Sequence, residues 1–362
     1  MAYNEIYNRL KAAMTDDKAA NEAMLKKEVE QFIKNGDQEG VNAAGALLME
    51  NMPEEQREEI KRLTYIDGKR LDEIYDEIDA LLNESKAVEA KPLAEKLYKK
   101  IILEFKETEK SKFVSLRNPF EDNMYHFLHK PEKALNRTPF DFCKFITVYA
   151  YILTETGSPL DAIPILEKAQ EYNPIDVSPK FELAEVYKIL HNKSRLLEIT
   201  RETMKVASSP IAIARCYANV GYILTAFNEF DDAVAFYSAS AMMSPNPAIP
   251  RELQHIADVT GKPVSYPGKE KIMETMEKYD ITFGPDNDVV NVAGQLASVF
   301  LARKDIPNAL QALKLTYNLT LDDKIKELIL KYDPNAKMIV PAPEQQGEAP
   351  DITQTVNESP EK

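Results

Sequence analysis

Apolar positions recur three and four residues apart through the first 110 residues, with charged residues between them. That spacing predicts amphipathic helices near 4–13, 17–34, 38–51, 54–63, 69–83 and 88–106. Gly36 and Asp37 separate the second from the third, and Asn83, Glu84 and Ser85 interrupt the fifth. In the fifth, Leu71, Ile74, Ile78, Leu81 and Leu82 form one face; in the sixth, Leu93, Leu97, Ile101, Ile102 and Phe105 do the same.

The pattern changes from Lys112 to Phe142, where three prolines punctuate a dense aromatic set. Pro119 after Asn118, with Glu121 and Asp122 in the first turn, predicts a short helix. The remainder reads as an ordered connector over 111–142. Its Phe120, Tyr125, Phe127, Leu128 and Phe140 are expected to dock on the elements that follow.

From Cys143 onward the apolar pattern repeats. Tyr217, Val220, Gly221 and Leu224 are followed by Ala233, Tyr237 and then Pro245. Gly221 and Ala233 are small where two helices would cross closely, Phe227-Asn228-Glu229 falls at the turn, and Pro245 stops the second helix. Earlier copies read Ile146, Tyr149, Ala150, Leu153, Ala162, Leu166, Ala169 and Pro174, and then Leu183, Ala184, Tyr187, Leu196 and Thr200. A last copy has Leu296, Ala297, Phe300, Ala309 and Leu313. Ala184 lies 34 residues after Ala150 and Gly221 a further 37 on, with an insertion around 207–211. The interval 249–288 predicts a degenerate unit, with helices near 249–259 and 268–279. A helix over 321–332 would cap the array.

This spacing resembles the tetratricopeptide (TPR) repeat, with Tyr in the usual Trp place, over roughly residues 140–332. The connector also resembles that of uncharacterised bacterial TPR proteins. Ala94 and Tyr98 fit a TPR second helix or an ordinary helical hairpin alike. The resemblance implies a right-handed solenoid whose concave groove, lined by the first helix of each pair, holds a peptide or protein segment. It places Lys144, Thr147, Tyr151 and Thr154 in the groove from the first unit, and Ser178, Phe181, Glu185 and Lys188 from the second. The third supplies Arg215, Ala218, Tyr222 and Thr225 with Asn219 adjacent, and the last supplies Asn291, Gly294 and Ser298 with Gln295 adjacent. Tyr151 and Tyr222 take equivalent slots, either as contact area for a ligand or as packing between neighbouring helices. Arg215 and Asn219 are suited to a peptide carboxylate or backbone. Thr147 and Tyr151 stand where a clamp for chaperone C-termini carries Lys and Asn, which argues against that ligand.

Composition narrows the reading. Eleven glycines and no tryptophan favour helix over sheet, and the fold class expected is all-α: an N-terminal helical region (1–110), the connector, a TPR-like solenoid (143–332) and a disordered tail (333–362). The tail reads as a solubilising end or as a ligand for a groove. A net charge of −14 argues against nucleic acid and favours basic partners. No window has the roughly 20 apolar residues of a membrane span, and the start shows no signal-peptide pattern, so a cytoplasmic protein is expected. Cys143 and Cys216 lie inside helical patterns and read as buried, reduced thiols.

Candidate chemistry is thin. His126 and His129, three apart and followed by Glu132, have metal-like spacing, though polar connector residues give the same pattern. Gly261-Lys262 and Gly268-Lys269 lack the phosphate-loop spacing. No cofactor, metal or active site is expected. The leading expectation is a non-enzymatic interaction scaffold for a protein or peptide, compatible with homo-oligomerisation. A peptide-sensing TPR regulator is the alternative, and a metal-dependent hydrolase using His126 and His129 is the third.

Overall fold

The computed structural model describes residues 3–337 and is almost entirely helical, with eighteen helices and two pairs of short strands among them. The tail expected from 333 onward falls, beyond Lys337, outside the described residues. The chain divides into two units between Ile74 and Tyr75.

In the first unit, α1 (Tyr3–Ala13), α2 (Lys18–Asn35) and α3 (Gln38–Asn51) pack around Ile6, Leu10, Leu25, Phe32, Ala43, Ala44 and Leu47. The Asp17 carboxylate caps α2 by accepting from the amides of Ala19 and Ala20, and Gly36, at φ 68°, ends it in the left-handed conformation. Gly40 lets α2 and α3 meet, because a Cβ there would lie 2.2 Å from Cδ1 of Phe32. α4 (Glu54–Thr64) buries no residue. A helix was expected from 69, but Tyr65–Ile66 (β1) and Lys69–Arg70 (β2) pair antiparallel, and α5 (Leu71–Asn83) begins after them. Asp67 and Gly68 both have positive φ, as a two-residue hairpin turn of this hand requires.

The second unit continues with α6 (Ala87–Glu104), then β3 (Ser111–Val114), α7 (Pro119–His129) and β4 (Ala134–Arg137). β3 and β4 pair in parallel, with α7 as their crossover, so the connector carries a strand pair that an all-α expectation does not include. Phe120 and Tyr125 are buried as expected, and Phe140 stacks on Phe145. Phe127 and Leu128 are exposed instead, on the face of α7 turned to solvent.

Four helical hairpins follow: α8 (Phe142–Glu155) with α9 (Pro159–Tyr172), α10 (Ser178–Ile189) with α11 (Lys193–Met204), α12 (Pro210–Ala226) with α13 (Phe230–Met243), and α16 (Asn287–Ala302) with α17 (Ile306–Thr320). Gly221 is the close-approach point of the third, where a Cβ would sit 2.8 Å from the Tyr237 ring. The helices α8, α10 and α12 lie side by side. Between the third and fourth hairpins, α14 (Ile249–Thr260) and α15 (Lys269–Lys278) each pack on α13, where the sequence led us to expect a helix pair of their own. Tyr217, fully buried, holds the loop after α15: its hydroxyl donates to Thr282 O and accepts from Gly284 N, both at 2.8 Å. α18 (Asp323–Tyr332) covers α17, and α16 packs against α7 of the connector.

Candidate functional site

The seam between α10 and α12 gathers six of the eleven candidate groove residues. Glu185 and Lys188 share a face of α10 and pair at 2.8 Å. Lys188 Nζ also donates to Asn219 Oδ1 at 3.0 Å and lies 5.1 Å from the centre of the Tyr222 ring. Arg215 reaches back to Glu185 at 3.4 Å, with its guanidinium 4.4 Å from the Phe181 ring. Phe181 is buried and serves as the floor on which Arg215 stacks.

Asn219 is 4% exposed, and its carboxamide nitrogen donates to no acceptor among the described residues. No buried side-chain nitrogen or oxygen among the described residues lacks a partner, so this nitrogen reaches solvent at the seam. Tyr222, in contrast, is 39% exposed.

On α8, Lys144 lies 4.7 Å over the Tyr75 ring, and its backbone amide donates to the carboxylate of Asp141, which caps the helix. Thr147 is buried, and its hydroxyl donates to Cys143 O, so it has no donor to offer a ligand. Tyr151 is exposed and faces Glu155 and Glu182; burial and both carboxylates push its phenol up. Asn291 and Gln295 stand exposed on α16, whose partners are α17 and α7. Among the described residues no hydrogen bond or ion pair links them to α8, α10 or α12.

Glu182 and Glu155 belong to this surface and were not among the sequence candidates. Burial pushes the Glu182 carboxyl up, Arg215 opposes it, and Glu185 and Glu155 add to it. The sequence signal is slight: Glu182 lies three residues before Glu185, on the same helix face.

A second polar cluster lies where the connector meets the first two hairpins. Glu121 accepts from Arg117 NH2 at 2.7 Å and from Asn173 Nδ2 at 2.8 Å, while Arg117 NH1 meets Asp176 at 3.1 Å. Glu121, Asn173 and Asp176 are all buried. Burial works against the charge of Arg117, and Glu121 with Asp176 outweighs it and holds the guanidinium above its usual value. Beside this cluster is a cavity of about 290 Å³, lined in part by Arg117, Asn118, Ser208, Leu296, Phe300 and Gln311. With its carboxylates engaged by Arg117, the cluster acts as a structural tie.

His126 and His129 are exposed on α7, and His129 packs over Tyr125 with ring centres 4.9 Å apart. Partial desolvation, with Lys112 and Lys180, pulls its imidazole down. Among the described residues no group of three or more His, Cys, Asp or Glu is placed to hold a metal. Cys143 and Cys216 are free and buried; burial pushes the Cys216 thiol up to about 12. Among the described residues no helix is long and apolar enough to cross a membrane.

The fold so described is that of a helical-hairpin protein. No protein-family model matches the chain, and no curated protein matches it in sequence.

Proposed function

We propose that this chain is a non-enzymatic, cytoplasmic scaffold that holds a segment of a partner protein in the groove of a TPR-like solenoid. The groove would run across α8, α10 and α12, the first helices of three successive hairpins. The observation that carries the reading is the α10–α12 seam. Phe181, Glu185, Lys188, Arg215, Asn219 and Tyr222 meet there, and Asn219 keeps unused amide donors suited to a peptide carbonyl. Tyr151 and Tyr222 supply exposed, rigid contact area. The 34-residue spacing of the small positions Ala150 and Ala184 supports the solenoid part of the reading.

Capture from the source-cell lysate tests it, with the wild type set against a Tyr151→Ala, Arg215→Ala, Tyr222→Ala variant that still melts cooperatively. A partner held by the wild type and lost by the variant supports the groove. Equal capture by both moves binding to another surface, and no capture by either overturns the scaffold reading.

A further inference from the structure

The cavity beside the Arg117 cluster has apolar walls in Phe120, Leu296, Phe300, Ala312 and Leu315, with the exposed Gln311 among them. At about 290 Å³ it is roughly twice the size of an apolar cavity that takes up benzene, so it has room for aliphatic side chains.

The described residues end close to it. Asp333, just after α18, pairs with Lys314 of α17 at 3.2 Å. Lys314 is the neighbour of Leu315 and stands about one turn from Gln311, both in the cavity wall. Ala336 N donates to Asp333 O at 3.0 Å, a turn that keeps Ala336 within about 7 Å of Asp333. Three extended residues beyond Lys337 span about 10 Å, which is about the arc from Lys314 to Leu315 round the surface of α17. The sequence continues with Met338, Ile339, Val340, Pro341, Ala342 and Pro343, and no other run of adjacent large apolar residues follows before Lys362.

We infer that this cavity is the docking site for residues 338–343 of the same chain, whose aliphatic side chains fill it and tie α17 to α7. The two prolines carry no N–H, so the segment gives up fewer backbone donors than most when it leaves water. Gln311 can donate to one of its carbonyls. A segment tethered a few residues away is present at an effective concentration on the order of millimolar, which favours it over a free partner of equal fit. The inference does not depend on the α10–α12 groove.

The experiment uses the full chain carrying Gln311→Cys and Ala342→Cys, and follows disulfide formation in oxidised glutathione by non-reducing mass spectrometry. The bond needs the two Cα atoms within about 7 Å, so its rate reports docking. Cys143 and Cys216 are buried and do not compete. A second protein adds Ile339→Asn and Val340→Asn, which are neutral, keep the tether length and lie beyond α18. The intramolecular bond is expected to form about tenfold more slowly in that protein. Equal rates in the two, or no bond in either, overturn the proposal. So does a product that is mainly a disulfide-linked dimer, which would make a second copy of the chain the occupant. A cooperative melt checks that both proteins fold.

Discussion

The surroundings of Glu182 favour its neutral form, through burial and the nearby Glu185 and Glu155, against the pull of Arg215 and Lys188. With the folded-state pKa above the unfolded one, its contribution to stability is present at low pH and lost as pH rises through the raised value. Glu182→Gln should therefore raise the melting temperature at neutral pH. That gain should shrink as pH falls to where the wild-type carboxyl is itself protonated, and melting curves of both proteins across this range check it. Arg117 makes the opposite case. Replacing it by alanine strands Glu121 and Asp176, both buried, and is expected to cost about 3–5 kcal/mol in denaturant unfolding. Gly221→Ala should cost about 1–3 kcal/mol despite alanine's better helix propensity, because the added methyl meets the Tyr237 ring. That ring has little room to yield: it is 1% exposed and its hydroxyl bonds Glu252.

At the scale of elements, what could be foreseen depended on how local its cause was. Asp17, Asp37 and Asn118 cap their helices with their own carboxyl or amide groups, and the predicted starts near those residues match the observed ones closely. Gly221 and Ala233 announced a close helix crossing because the reason for a small residue lies within one hairpin. The β1–β2 hairpin was also legible in principle, since Asp67-Gly68 is a strong turn signal, but the helical periodicity on either side concealed it. The β3–β4 pair was not, because its register joins Ser111 to Ala134 across a helix. Nor did the spacing show that α14 and α15 would both settle on α13, or that Tyr217 would hold the loop after them. The six residues of the α10–α12 seam followed from the repeat phase. Glu182 did not, because an unpaired carboxylate is defined by what fails to reach it. Tyr217→Phe is expected to leave α12 intact and free the 282–284 loop, costing roughly 1 kcal/mol and speeding hydrogen exchange at Gly284, whose amide donates to that hydroxyl.

At the scale of the whole molecule, charge sets how a partner is met. With a net charge of −14, association with a basic segment should slow as salt rises, while dissociation of the desolvated contacts changes less; stopped-flow rates across a salt series check this. Within the second unit, the packing of α16 on α7 joins the connector to the last hairpin. During synthesis, α7 leaves the ribosome long before the helix that covers it. At about 5–20 residues per second, the stretch from Pro119 to Asn287 takes on the order of 10–30 s to make. Through that interval the surface of α7 that α16 covers in the fold has no native cover, so slowing translation is expected to lengthen its exposure.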